Sequence, residues 1–464
     1  MITSQTFQPK NFSSIHCLGI GGFGLSALAG LLQEKGFAIT GSDRVNSPMI
    51  KHLQKKGVPI TISREQKEEL PKNTQLLIYS EAVPETHPQK KEAEKKGVEQ
   101  YSYFQALGLL AQQYEQVIAV AGTNGKTTTT AMLAEIMRGA GFNPTAVIGS
   151  PLNSTGQNYM TGGDKLFIVE ACEYRRNFLH ITPTGIIITN VAEDHLDYYR
   201  DINDIAAGFQ DFINKLPKDG ILILNKDDKN SQAKLSHTSH TANFSLGKHQ
   251  ADLTATGITT EKQSTVFGII EKQTGVREQL SLTVPGSFNI ANALAAAAMA
   301  RHLGCEWKGI NTGLSRFQGT WRRFQHLPDY QGALVFSDYA HHPAALTVTL
   351  EAARQFYPDK KIVAVFQPHQ HNRTKKLFHE FITALRAADM IIMPEIYDVA
   401  GREDNEDQNI SSEHIVKKLQ EHNKDAVYTH NLTETRHIVV KEAQPGRLLL
   451  FLGAGDIYTL AETL

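Results

Sequence analysis

Lys126 and Thr127 sit where chemistry is most readily imagined. The stretch VIAVAGTNGKTTTT, residues 117–130, is an apolar, β-branched run that meets Gly122, Thr123, Asn124 and Gly125 and continues through Thr128 into a helix-forming segment. A strand, a tight glycine turn and a helix start present backbone N–H groups and one lysine to a phosphate, and the threonine hydroxyl can hold Mg²⁺. Nucleotide hydrolysis or phosphoryl transfer is therefore the first chemistry to expect. Only two residues separate Gly122 from Gly125, against four in the common pattern, and an ordinary βα turn with a capping threonine is the alternative.

Other candidates follow the same logic. Glu170 ends the strand-like KLFIVEACE, and GIIITNVAEDHLDYY reads as a strand ending in Asp194-His195. Carboxyl ends of parallel strands are where α/β sheets bind ligands, so Glu170 and His195 would converge on a Mg²⁺ near Thr127; a plain loop residue and a helix cap are the rival readings. Gly19, Gly21 and Gly24 match the dinucleotide fingerprint, with Asp43 ending the next strand and Ser80 opening a loop after QLLIY. That fingerprint recognises pyrophosphate, so an NAD or FAD site and a UDP-sugar site both satisfy it. Asn289 and Asn292 lie at the start of a helix, as base-edge contacts or as caps. Toward the C-terminus, Asp338, Tyr339, His341, His342, His369, His371 and Arg373 gather at predicted strand ends. Their spacing fits a zinc site poorly. Arg322-Arg323 forms a basic pair, solvated or in reach of a phosphate.

The elements that must position these residues divide the 464-residue chain into three α/β segments: 1–114, 115–320 and 321–464. The first reads strand, glycine loop, helix, strand. The second opens with the phosphate loop and continues into short alternating runs expected at a sheet edge. The third alternates strand and helix as a doubly wound parallel sheet. The 401–409 stretch GREDNEDQN reads as a solvated loop. Forty-seven basic and 48 acidic residues nearly cancel, which points away from nucleic acid and membrane surfaces. No apolar run approaches the roughly 20 residues that span a bilayer, the N-terminus lacks a signal-peptide pattern, and Cys17, Cys172 and Cys305 suit neither a disulfide framework nor a zinc knuckle. A cytoplasmic enzyme is expected.

Seven motifs in order, GIGGFGLSALA, GTNGKTTTT, TNVAEDHLDYY, PGSFNIANALAA, FQGTWRRFQ, SDYAHHPAAL and FQPHQHNRT, together resemble the Mur ligases over nearly the whole chain. The resemblance implies a Rossmann-like UDP-binding domain, a central P-loop ATPase-like domain and a C-terminal Rossmann-like domain. It implies an ATP-dependent, ADP-forming ligase of peptidoglycan precursor synthesis that joins L-alanine to the carboxylate of UDP-N-acetylmuramate through an acyl phosphate. A relative that recycles murein tripeptide, an oxidoreductase and a non-catalytic nucleotide-binding regulator are the alternatives. By the resemblance, Lys126 binds the β- and γ-phosphates, Thr127 holds one Mg²⁺, and Glu170 and His195 hold a second. Asn289 and Asn292 lie against adenine, Arg323 neutralises the γ-phosphate, and Asp338 meets the ribose. Tyr339, His369 and Arg373 line the amino-acid pocket, with His369 orienting or deprotonating the amine. Gly21, Gly22, Gly24 and Ser26 hold the UDP pyrophosphate, with Asp43 and Ser80 nearby. Arg175 and Arg176 change the charge near the muramyl end. The stretch DINDIAAGFQDF has no lysine, so no carbamate is expected. Domain closure is expected to assemble the site, in a monomer or homodimer.

Overall fold

The computed structural model describes residues 12–64, 69–195, 198–236, 240–261, 264–397 and 409–464. Of the charged loop expected at 401–409, residues 401–408 lie outside the described residues. The chain forms two compact units. The first comprises Met1–Gly257, Phe267–Ser281 and Ala291–Phe317, the second Ile258–Val266, Leu282–Ile290 and Gln318–Leu464.

Two sheets build the first unit. Strands β1 (Ser14–Leu18), β2 (Ala38–Asp43), β3 (Ile60–Ile62), β4 (Leu76–Tyr79) and β5 (Glu99–Ser102) form a sheet of order β3-β2-β1-β4-β5, parallel throughout. Helix α1 (Phe23–Glu34) follows β1. Because β2 and β4 flank β1, the glycine loop after β1 opens at the point where strand order reverses, the place such sheets bind ligands.

The central sheet repeats this device. Seven of its ten strands are β6 (Gln116–Ala121), β7 (Thr145–Val147), β8 (Tyr159–Met160), β9 (Leu166–Glu170), β10 (Gly185–Ile188), β11 (Ile221–Asn225) and β12 (His240–Ser245), ordered β12-β11-β10-β6-β9-β7-β8. β6, β9 and β10 read as unbroken apolar runs because they are buried on both faces. β9 and β10 flank β6 in parallel, so the ends of three strands surround the phosphate loop. Helix α2 (Lys126–Gly139) leaves that loop. Of the polar stretch 225–285 expected to form edge strands, Lys229–Lys234 is helical, while after β12 come β13 (Leu253–Glu261), β14 (Ser264–Glu271) and β15 (Arg277–Leu282) as expected. Helices α3 (Ser287–His302) and α4 (Trp307–Arg316) follow.

The expected division at 114–115 falls inside the first unit, whose two sheets share one apolar core from Ile15 and Leu28 through Leu107 to Phe167, Phe178 and Phe212. Tyr114 stacks on Phe167 with ring centroids 4.8 Å apart, and Lys56 and Glu34 both meet the Tyr159 hydroxyl.

The second unit carries β16 (Gln325–Tyr330), β17 (Ala333–Asp338), β18 (Lys361–Phe366), β19 (Met390–Pro394), β20 (Asp425–Thr429) and β21 (Arg447–Leu452), ordered β16-β17-β21-β18-β19-β20. The expected parallel sheet is present from β17 on, and one strand is added to it: β16 pairs antiparallel with β17, with a register shift between Leu327 and Tyr330. Pro328 lies in that strand and cannot donate to a ladder, which suits an edge. β21 enters last, between β17 and β18.

Candidate active site

The phosphate loop is held by its glycines and by the segment after β10. Gly122 and Gly125 take φ of +130° and +85°, a region that favours glycine. Asn190 accepts from Asn124 N–H at 3.1 Å and donates to Asn124 O at 2.9 Å, while the Thr189 hydroxyl donates to Asn124 O at 2.6 Å. Asn292 lies against the other side, since a Cβ on Gly125 would stand 2.4 Å from its Oδ1.

Lys126 begins α2. Its ammonium donates to Gly122 O at 2.6 Å, Thr123 O at 3.0 Å and Glu173 Oε1 at 2.8 Å. An ammonium has three protons, so each has an acceptor. Burial works against this charge, but Glu173, with Cys172 and Glu170, together outweighs it, and the lysine pKa is raised. The neighbouring Cys172 thiol is pushed up to about 12, chiefly by burial, so it is no nucleophile.

Thr127 Oγ1 lies 3.0 Å from Glu170 Oε1, and Gly149 N–H donates to Glu170 Oε2 at 2.8 Å. A side chain at position 149 would strike the carboxylate, with its Cβ 2.3 Å away. His195 does not end a strand as expected: β10 stops at Ile188, and His195 sits beyond it with φ +52°. Its Nε2 lies 3.9 Å from Glu173 Oε1, and its ring packs on Tyr174 at 4.8 Å. Thr127 thus pairs with Glu170, and His195 lies beside Glu173. Among the described residues no group of three or more His, Cys, Asp or Glu could hold a metal ion alone. A Mg²⁺ site at Thr127 and Glu170 would be completed by phosphate oxygens, the usual way proteins bind this ion. Arg176 ion-pairs with Asp204 and Asp211, which takes its charge up within the protein; Arg175 remains exposed.

In the first loop, the Asp43 carboxylate accepts from Gly21 N–H at 2.8 Å, Arg44 N–H at 2.7 Å and Val45 N–H at 3.1 Å, so it braces the turn. Ser80 stands beside Gly19, whose added Cβ would lie 2.9 Å from that of Ser80. Gly22 caps α1 without a side-chain partner, leaving the helix start for an anion; Gly24 fits under the Tyr103 ring. Ser26 lies in α1. It is buried, its hydroxyl donates to Phe23 O at 2.9 Å, and its N–H donates to Gly22 O. Asn158 donates to the same Phe23 carbonyl at 2.6 Å.

In the second unit, Asp338 ends β17. Its buried carboxylate accepts from Phe324 N–H at 2.6 Å and Ala340 N–H at 2.7 Å, so it fixes the turn carrying Arg323. Burial raises its pKa despite Arg323. Arg323 lies over the Tyr339 ring at 5.2 Å. Arg322 is buried among Trp321, Tyr339 and Tyr458 and donates to Gly453 O; burial lowers its pKa. His369 follows β18, stacks on Tyr397 at 5.8 Å and lies 6.2 Å from His341. Arg373 is in the short helix His371–Lys376. Asn289 is buried and donates to Pro285 O at 2.6 Å, closing the turn before α3.

Family models match three successive stretches: the Mur ligase family catalytic domain at residues 14–115, the Mur ligase middle domain at 120–300 and the Mur ligase glutamate ligase domain at 322–455. The chain belongs to the Mur ligase family. A UDP-N-acetylmuramate–L-alanine ligase of Lachnospira eligens is 38% identical over 451 residues, covering 97% of both chains. One of Clostridium tetani is 36% identical over 449 residues, again 97% of both. The crystal structure of the UDP-N-acetylmuramate–alanine ligase from Thermotoga maritima superposes with a TM-score of 0.83 at 26% identity, covering 97% of each chain.

In this Mur ligase, motif reading passed over Glu173, Asn190 and Gly149. Glu173 carried a signal: it is a second acid three residues after Glu170, in EACE. Asn190 and Gly149 act through backbone proximity, which one sequence does not reveal.

Proposed function

We propose that this Mur ligase joins L-alanine to the carboxylate of UDP-N-acetylmuramate with ATP hydrolysed to ADP, in the cytoplasm. The observation that carries the reading is full-length likeness to alanine-adding ligases, joined to a phosphate loop whose lysine, threonine and two carboxylates meet at the ends of three strands.

A carboxylate is a poor acyl donor, so its oxygen attacks the γ-phosphorus of ATP. The bond to the bridging oxygen breaks, and acyl phosphate and ADP result. Two anions meet in this step, and positioned cations lower its barrier. Lys126 and the α2 N–H groups take the β- and γ-phosphates, and Arg323 adds positive charge. We assign Thr127 to one Mg²⁺ and Glu170 with His195 to a second; the Thr127 and Glu170 oxygens are hard ligands of the kind that ion takes. When bound, Mg²⁺ supplies charge screening between the two anions. Asn292 borders the nucleotide. The loop of Gly21, Gly22 and Gly24, with Ser80, receives the UDP pyrophosphate. The alanine amine then attacks the acyl carbon, phosphate leaves, and the amide forms as the amine loses its proton. Arg373 suits the amino acid's carboxylate, Tyr339 lines its pocket, and His369 orients or deprotonates the amine.

The test is phosphate release from ATP with UDP-N-acetylmuramate and each amino acid in turn, plus murein tripeptide. Alanine giving the highest kcat/KM supports the reading. Preference for the tripeptide, or release independent of the sugar acid, contradicts it.

A further inference from the structure

Glu173 has a role that none of the assigned site residues covers. Its side chain is 3% exposed. One carboxylate oxygen takes the Lys126 ammonium at 2.8 Å and lies 3.9 Å from His195 Nε2. The other, Oε2, is buried with no hydrogen-bond partner among the described residues. A buried carboxylate oxygen in that condition is costly, and such costs persist mainly where function uses them. Arg175, Arg176 and His195, all near this carboxylate in the chain or in space, hold positive φ without being glycine, a conformation that collects at functional sites.

We propose that Glu173 is a positioning residue that exchanges Lys126 with the nucleotide. All three ammonium protons are engaged by Gly122 O, Thr123 O and Glu173. A phosphate that takes the lysine must displace at least one of these, and Glu173 is the only acceptor of the three on a side chain able to turn away. Once released, the carboxylate has the His195 imidazole 3.9 Å away. Closing that 3.9 Å gap to a hydrogen bond would orient the imidazole. Nucleotide arrival would thereby set His195. The inference rests on the reading of Lys126 as an ATP ligand. Glu173 competes with phosphate in the empty loop and assists in the filled one, so its two effects have opposite signs.

The experiment measures binding of a non-hydrolysable ATP analogue by calorimetry, alongside steady-state turnover, in the full chain. Glu173→Gln should tighten the analogue by about fivefold, the scale of one coupled pair, while lowering kcat more than tenfold. Glu173→Asp, which keeps the charge, should restore both toward the parent values. In the Lys126→Ala background, Glu173→Gln should leave analogue affinity unchanged, because the competition runs through the lysine. Weaker or equal analogue binding by Glu173→Gln in the parent would overturn the proposal, as a merely structural acid predicts. Tightening that persists without Lys126 would also overturn it, as general repulsion of an anion. Failure of the parent protein to bind the analogue would instead strike the ligase reading itself.

Discussion

Lys126 is the residue on which the proposed chemistry turns. Replacing it with alanine should lower turnover by about a hundredfold or more, the usual cost of a lost charge at a developing anion. Affinity for UDP-N-acetylmuramate should stay near the parent value, because the first glycine loop follows a different strand. Calorimetry with the sugar nucleotide beside a turnover assay checks this; a matching loss in both would contradict it. Asn190 acts one step away. Asn190→Ala removes two hydrogen bonds to Asn124, each contributing about 1 kcal/mol. The KM for ATP should rise about tenfold with little change for alanine, and an equal rise for both substrates would mean that the asparagine does not act through the loop.

At the level of elements, the phosphate-loop helix α2 is fixed from behind. Its partner α4 approaches so closely that a Cβ on Gly313 would stand 2.3 Å from Ile136 Cα, and one on Gly139 2.9 Å from Gly313 N. Gly313→Ala should therefore destabilise the protein by about 1 to 3 kcal/mol through overpacking, read as a lower thermal midpoint; an unchanged midpoint would show that the helices separate freely. Strands such as β6, β9 and β10 were legible because burial on both faces writes them as unbroken apolar runs, and α2 because Gly125 and Lys126 mark its start. The antiparallel β16 was not, since QHLPDY carries a proline and polar residues that read as a loop; its pairing comes from the neighbouring β17. That Lys126, Thr127 and Glu170 would meet was legible because their spacing relative to strand ends is itself the signal. The backbone partners of Ser26 and Asp338 were not, because side-chain type says nothing of which backbone groups will claim it. Asp338 accepts from Phe324 and Ala340, whose proximity only the folded turn creates.

Across the whole molecule, stability and catalysis depend on polar groups buried among parallel strands. His16 is one. Its ring nitrogens meet Thr40 Oγ1 at 2.8 Å and Ser42 Oγ at 3.1 Å, and burial lowers its pKa from 6.5 to about 4. The folded state thus favours the neutral ring. Its contribution is full above pH 6.5 and is lost as pH falls toward 4, by about 3 kcal/mol over that span. Urea unfolding at pH 7 and pH 4.5 should show a smaller acid loss in His16→Gln than in the parent; equal losses would remove His16 from the account. The central claim concerns the reaction: a sugar-acid carboxylate is activated by phosphoryl transfer at the Lys126 loop. The most direct measurement uses UDP-N-acetylmuramate labelled with oxygen-18 in its carboxylate, with ATP and alanine, and mass analysis of the phosphate released. One labelled oxygen in each phosphate is the predicted result, and phosphate free of label would contradict it.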